Sequence, residues 1–353
     1  MTVQALDVPV VAPANAPRAR VVDFKFTADA SEYFRIWIVN ILLSVVTLGI
    51  YSAWAKVRTK RYFYRSTSLD GSSFDYLADP LRILKGRLII AAAGGVLLAA
   101  QYYSLTAYGI VVVIYLLLTP WVLVKALSFN ARNSALRNIR FAFQGNVGEA
   151  YGVYMVSALV YILTLGLGVP YVNFRQHKFI AERHCYGAER FVFNRRAKDY
   201  FRVYLRALLI LVPLIAAMVG CIALVATGPG KRNPALMLGI IIPFYAALLI
   251  PGAYLRANLS NLLFDGLRIG PHALRCRQST WEVLRLYVEN AIALVLSLGL
   301  AYPWAKVRMA RYKADRMKAV IVSSLDVIAL PGKEPGAYGE AAHDLGDFDF
   351  DVG

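Results

Sequence analysis

Residues 48–58 read LGIYSAWAKVR and residues 298–308 read LGLAYPWAKVR, so the two stretches are identical at seven of eleven positions. Each stretch continues to an Arg-Tyr pair at the same distance from its glycine. A degenerate copy begins LGLGVPY at residues 165–171, and Arg175 and Lys178 follow at the corresponding offsets. Self-similarity of this kind indicates a chain built from internal repeats.

A second similarity sets the size of the repeat. Residues 120–137 match residues 251–268 at six positions with one constant offset, so a two-span hairpin is expected after each of the first two motif copies. The pattern predicts a disordered cytoplasmic tail at 1–23, a membrane domain at 24–318 and a flexible acidic tail at 319–353. The membrane domain divides into repeat one at 24–140, repeat two at 141–270 and a final motif segment at 271–318.

The composition places the chain in a membrane. Hydrophobic residues make up 58% of the chain and charged residues only 17%, whereas average soluble domains carry about 25% charged residues. Residues 88–124, 207–230 and 233–255 contain no Asp, Glu, Lys or Arg. Because a spanning helix needs about 20 apolar residues, the first block can hold two spans and the others one each.

The distribution of Lys and Arg separates two topologies. If the three motif segments cross the membrane, the chain has seven full spans, and its 39 basic residues divide almost evenly between the two sides. If each motif segment enters and leaves by one face, only Lys231 and Arg232 lie outside. Since basic residues concentrate in cytoplasmic loops, we expect an all-α, multi-pass protein with four hairpin spans, three re-entrant motif segments and cytoplasmic termini. Seven full spans is the alternative.

The motif residues also carry a family resemblance. The runs at 47–51, 54–58 and 303–308, with Arg61 and Tyr62, are similar to the pattern of the YjgN-type bacterial inner-membrane proteins, a domain of unknown function. The resemblance covers residues 24–318. It implies an inner-membrane location and this membrane architecture, but no particular activity.

The motif residues are also the candidate ligand contacts. On a helix, Trp54, Arg58 and Arg61 form one stripe, because their spacings are four and three. The full set of candidate contacts to an anionic ligand or lipid headgroup is Trp54, Arg58, Arg61, Tyr62, Tyr171, Arg175, Trp304, Arg308, Arg311 and Tyr312. Arginine can bind phosphate or carboxylate through two N–H groups, but aromatic residues beside arginines are equally typical of interfacial anchors.

Two asparagines lie within apolar segments. Asn40 and Asn290 each precede the motif glycine by nine residues. An amide in such a segment either forms a hydrogen bond to a neighbouring helix or contacts a substrate. The sequence leaves both possibilities open.

Other classes of function find no support in the sequence. It contains no zinc-protease, serine-hydrolase, phosphate-loop or dinucleotide signature, and Cys185, Cys221 and Cys276 are isolated from one another. We therefore expect no enzymatic activity, no cofactor and no metal. The net charge of +17 lies in clusters beside apolar blocks, which favours membrane lipids with anionic headgroups over nucleic acid as partners.

These observations favour a transporter or channel for a small anionic or amphiphilic solute, since transporters are often built from internal repeats. The alternative is a non-transport membrane scaffold or a protein that binds anionic lipid.

Overall fold

The computed structural model describes residues 19–227 and 234–322. In these ranges, a strand, a helical hairpin and a second strand follow one another five times. The first unit is β1 (Arg20–Phe26), α1 (Ala30–Val46), α2 (Ser52–Arg65) and β2 (Thr67–Leu69); the second is β3 (Ser72–Tyr76), α3 (Pro80–Tyr103), α4 (Leu105–Arg132) and β4 (Ser134–Leu136). The third is β5 (Ile139–Phe143), α5 (Val147–Leu163), α6 (Val169–Arg183) and β6 (His184–Tyr186). The fourth is β7 (Glu189–Phe193), α7 (Ala197–Thr227), α8 (Pro234–Ala247), α9 (Leu249–Asp265) and β8 (Leu267–Ile269); the fifth is β9 (His272–Cys276), α10 (Thr280–Leu296), α11 (Tyr302–Asp315) and β10 (Met317–Ile321).

The prediction of an all-α fold is wrong, because the ten described strands form a closed antiparallel barrel. Each strand pairs with its neighbours in the chain, and β1 pairs with β10 to close the ring. Because neighbouring strands run in opposite directions, all five helical hairpins leave the barrel at the same end. Strand β1 begins before residue 24 and β10 ends after residue 318, so the barrel extends beyond the boundaries predicted for the membrane domain. The rest of both predicted tails, and the loop with Lys231 and Arg232, lie outside the described residues.

Short strands and tight turns explain why hydropathy did not reveal the barrel. Strands β2 to β9 are three or five residues long and occur in hairpins joined by two-residue turns. Asp70 and Gly71 both have positive φ, as do Arg137 and Asn138, which is the conformation that two-residue hairpin turns require. These strand pairs contain only short apolar runs, whereas the helices are up to 31 residues long. The helices therefore dominate the hydropathy of the chain.

Ten apolar side chains line the barrel interior, five from odd-numbered strands and five from even-numbered strands. We call these two sets the apolar rings. Each odd-numbered strand contributes one residue that lies opposite a residue of an even-numbered strand. The five cross-strand pairs are Phe24 with Leu69, Phe74 with Leu136, Phe141 with Tyr186, Phe191 with Ile269, and Leu274 with Ala319. All ten residues belong to one hydrophobic cluster. A ten-strand barrel is slightly too wide to be filled completely, and a cavity of about 220 Å³ remains inside it.

The helices fall into long hairpins and short ones. Four described helical segments are long and apolar enough to cross a membrane: Pro80–Tyr103, Leu105–Arg132, Ala197–Val225 and Gly239–Asp265. The three motif segments form the short hairpins α1–α2, α5–α6 and α10–α11, which we call the motif hairpins.

Each motif hairpin turns back at its Leu-Gly pair. Leu48, Leu165 and Leu298 have φ near +50°, and each following glycine has φ near +90°. In all three turns, the glycine N–H donates a hydrogen bond to a carbonyl five residues earlier, at 2.7–2.9 Å. The three leucine side chains are 94–95% exposed. The turn therefore places an apolar side chain at the tip of each motif hairpin.

Candidate functional site

A chamber lies on the barrel axis, just inside the ring of helices. It has a volume of about 550 Å³, and all five units contribute to its wall. Aromatic side chains predominate, including Phe26, Phe63 and Phe264. The chamber adjoins the barrel cavity, because Phe24 and Phe74 line both. We call this space the axial chamber.

The axial chamber contains few polar groups. Lys313 is the charged residue among its described lining residues, and its ammonium group lies 4.9 Å from the centre of the Phe264 ring. No ion pair joins Lys313 to a carboxylate in the described residues. Burial lowers the pKa of Lys313, and the positive charge of Arg256 lowers it further. A cation in an aromatic wall with no carboxylate partner is suited to bind an anion that also has an apolar part.

The other polar residues of the chamber have protein partners. Asn130 accepts a hydrogen bond of 2.9 Å from Lys60 through its Oδ1. The Nδ1 of His184 lies 2.7 Å from the Ile180 carbonyl oxygen, and burial lowers the pKa of this histidine. His184 is therefore neutral at pH 7, which leaves Lys313 as the charge that faces the chamber.

The first motif copy lines a different cavity, of about 670 Å³, outside the axial chamber. Trp54, Arg58, Arg61 and Tyr62 all face it, so the structure brings the four predicted residues together. The cavity lies between the motif hairpin and the start of α3 at Pro80. We call it the Arg58 cavity.

The last motif copy lines a third cavity, of about 650 Å³, which we call the Arg308 cavity. Trp304, Arg308 and Arg311 face it together with Glu289 and Asp29. The Arg58 and Arg308 cavities both border the start of α1, but they have no lining residue in common. The motif copies therefore do not share one site on the axis.

The middle motif copy contributes less. Arg175 is exposed and Tyr171 is half-buried, and neither lines one of the described cavities.

Lys56 and Lys60, on another face of α2, line a groove between α1, α2 and α11. Sequence reasoning missed the axial chamber because its wall comes from residues scattered over five units.

Tyr62 and Tyr312 are fully engaged in holding helix ends. The Tyr62 hydroxyl accepts a hydrogen bond from the Asp29 N–H and lies 3.0 Å from Glu32 Oε2. The Tyr312 hydroxyl accepts one from the Ser279 N–H and also lies 3.0 Å from a carboxylate oxygen, that of Glu282. Burial raises the pKa of each tyrosine to about 12, so each hydroxyl is protonated and can donate at neutral pH.

We expect Tyr62→Phe and Tyr312→Phe to destabilise the protein by about 1–2 kcal/mol each, because each leaves the backbone N–H of an N-cap residue, Asp29 or Ser279, without its acceptor. Thermal unfolding of the purified protein in detergent measures the effect. Tyr161→Phe, at an exposed tyrosine of α5, is the matched control and should unfold at the wild-type temperature. Equal melting temperatures for all three variants would contradict this structural role.

Asn40 and Asn290, the two asparagines predicted to lie within the membrane, are buried, with 5% and 7% exposure. The Asn40 side-chain N–H group donates to the Ala55 carbonyl at 3.4 Å and to Thr59 Oγ1 at 3.5 Å. Asn40 thus joins α1 to α2, which is the interhelical contact considered from sequence. The Oδ1 atoms of both Asn40 and Asn290 are buried without a hydrogen-bond partner in the described residues.

Comparison with known proteins identifies relatives but no activity. A family model described as "Bacterial protein of unknown function (DUF898)" matches residues 21–345. Two relatives are called "Inner membrane protein YjgN": the Salmonella typhimurium protein is 24% identical over 88% of this chain and 90% of its own length, and that of Escherichia coli K12 is 22% identical over 88% and 91%. No solved structure matches the chain. Together with the four apolar helices, these relatives make the chain an integral membrane protein.

Proposed function

The chain belongs to the bacterial DUF898 family, whose function is unknown, and we propose that it passes a small anionic or amphiphilic solute along the axis of its barrel. The observation that carries the proposal is the axial chamber, where Lys313 faces an aromatic wall built from all five units. The relatives' location in the inner membrane supports a role at that membrane.

The proposed membrane arrangement uses the difference between long and short hairpins. The two long hairpins cross the membrane, whereas the motif hairpins enter from the barrel side and return. The exposed Leu48, Leu165 and Leu298 support this arrangement, because a large apolar side chain is more stable facing lipid than facing water. We interpret the five units as internal repeats that arose by duplication.

The barrel is proposed to lie in the cytoplasm. Its outer surface exposes basic residues on five strands: Lys25, Arg140, Arg190, Arg275 and Lys318. Basic segments are retained on the cytoplasmic side. The termini, which continue from β1 and β10, are then cytoplasmic as well.

The apolar rings of the barrel act as a closed gate in this proposal. Narrow apolar constrictions exclude water and block the passage of ions without any bulky plug. Phe74 and Leu136 form one of the five cross-strand pairs that fill the barrel. A solute that leaves the axial chamber for the cytoplasm would have to pass them.

Flux into proteoliposomes tests the proposal. We expect Phe74→Ser to raise the uptake of benzenesulfonate, a permanently charged amphiphilic anion, by about tenfold, because a polar side chain lets water enter the constriction. Adding Lys313→Met to this variant should return uptake to the level of empty liposomes. Val192→Ser, at an exposed position of β7, is the control and should leave uptake unchanged.

One outcome would count against axial conduction. If Phe74→Ser liposomes take up no more benzenesulfonate than empty ones while the protein stays folded, the chain does not conduct the solute. A non-transport membrane scaffold would give that result.

A further inference from the structure

Arg58 and Arg308 are equivalent residues with different surroundings. Each follows the motif tryptophan by four residues on the second helix of a motif hairpin. The Arg308 guanidinium stacks over the Trp304 ring at 4.9 Å and forms an ion pair with Glu289. Glu289 immediately precedes Asn290, and the residue that precedes Asn40 is Val39. The first unit therefore lacks the carboxylate that neutralises the motif arginine in the last unit.

Arg58 has no hydrogen-bond or ion-pair partner among the residues that the structure describes. Its side chain is exposed. The neighbouring arginines are already used: Arg61 donates to the Tyr76 carbonyl at 3.3 Å, and Arg65 pairs with Asp75 at 3.1 Å. Glu32 is the carboxylate that lines the Arg58 cavity, and its Oε2 accepts a hydrogen bond from Tyr62.

The charge of the two cavities differs accordingly. Arg58, Arg61, Arg65 and Glu32 line the first, so it carries net positive charge. In the Arg308 cavity, two arginines face the carboxylates of Asp29 and Glu289, and the charges balance. Of these two cavities, the Arg58 cavity is therefore the one that attracts an external anion.

The Arg58 cavity is also amphipathic along its length. Tyr51 and Trp54, which stack with ring centres 6.2 Å apart, line its wall near the hairpin turn. Arg58, Arg61 and Arg65 follow along the same helix towards the barrel. Aromatic side chains prefer the interfacial region of a bilayer. The order of residues thus matches a lipid with its acyl chains towards the turn and its headgroup towards the barrel.

We propose that the Arg58 cavity binds the phosphate of an anionic phospholipid, with Arg58 as its principal contact and Trp54 beside the glycerol and upper acyl chains. Arginine offers a fork of N–H donors that fits two phosphate oxygens. The equivalent Arg308 takes no lipid phosphate, because the Glu289 carboxylate already neutralises its charge. This site is separate from the axial chamber and does not depend on conduction.

Retention of lipid by the full-length protein tests the site. The protein is purified in detergent with added dioleoyl phosphatidylglycerol or dioleoyl phosphatidylcholine, and bound lipid is counted by native mass spectrometry. We expect one phosphatidylglycerol to be retained preferentially. Arg58→Gln should weaken its binding about tenfold, since a charge-assisted contact of this kind contributes about 1.5 kcal/mol or more.

Two reciprocal variants give the proposal its sharpest test. Val39→Glu supplies the missing carboxylate and should abolish preferential retention, although Arg58 is still present. Glu289→Val frees Arg308 and should add a second retained phosphatidylglycerol. Arg308→Gln is the matched control for Arg58→Gln and should retain lipid like the wild type.

Other results would overturn the proposal. Equal phosphatidylglycerol retention in the wild type, Arg58→Gln and Val39→Glu, with unchanged melting temperatures, would exclude Arg58 as the contact. If millimolar inorganic phosphate displaces phosphatidylglycerol from the wild type but not from Arg308→Gln, the phosphate acts through Arg308. Anion binding is then not specific to the Arg58 cavity. If inorganic phosphate alone binds at Arg58 as tightly as phosphatidylglycerol does, a soluble anion and not a lipid occupies the cavity.

Discussion

A single cysteine at Leu165 is expected to react with membrane-impermeant maleimide from neither side of the membrane. The variant is made in a background without the native Cys185, Cys221 and Cys276. Leu165 lies at the tip of a motif hairpin and is 94% exposed on the protein surface. If the hairpin is half inserted, that exposed surface faces lipid, where the thiol neither ionises nor meets the reagent.

Helix length supports this expectation. Helix α5 has 17 residues and is therefore about 25 Å long, whereas the hydrocarbon core is about 30 Å thick. Part of α5 also packs against Phe143 of β5, so less than its full length is available to enter the bilayer. The long helices α3 and α4, with 24 and 28 residues, exceed the thickness of the bilayer.

Two further single-cysteine variants serve as controls for the two sides of the membrane. A cysteine at Ala188, in the exposed β6–β7 turn, should react only from the cytoplasmic side. A cysteine at Ser104, between α3 and α4, should react only from the periplasmic side. Periplasmic labelling of Leu165 would show that the motif hairpin crosses the membrane, and periplasmic labelling of Ala188 would reverse the orientation proposed for the barrel.

The local part of this structure could be predicted from sequence. The apolar blocks predicted the four long helices. The barrel was not predicted, although Asp70-Gly71 between two short alternating stretches is a typical hairpin signal. Its closure depends on pairing β1 with β10, which lie almost 300 residues apart in the chain, and no local pattern encodes such a contact.

The candidate site, like the fold, could be predicted from sequence only where it depends on local spacing. Helical spacing predicts Trp54, Arg58 and Arg61 on one stripe, and the three side chains line one cavity. The pairing of Arg308 with Glu289 depends on how α10 packs against α11. The position of Lys313 in the axial chamber depends on all five units meeting at the barrel axis. Neither feature has a signature within a single segment.

Asp70→Asn is expected to have the largest effect on stability. Asp70 lies in the β2–β3 turn, and its carboxylate binds Arg20 of β1 at 2.6 Å and Arg137 of the β4–β5 turn at 2.8 Å. The side chains of Asp70 and Arg137 are only 14% and 16% exposed. The carboxylate therefore ties three parts of the barrel rim together where water cannot replace it.

The substitution isolates the charge of this carboxylate. Asn keeps the shape of the side chain and accepts the positive φ of this position, but it leaves the largely buried Arg137 facing a neutral amide. We expect a loss of about 3 kcal/mol and a melting temperature lower by about 5 °C or more in detergent. Asp75→Asn is the matched control, because its ion pair with Arg65 is 34–60% exposed and should contribute less than about 1 kcal/mol. If the two variants lost equal stability, the rim of the barrel would not depend on the buried charge, and its closure would rest on the strand pairing and the apolar rings alone.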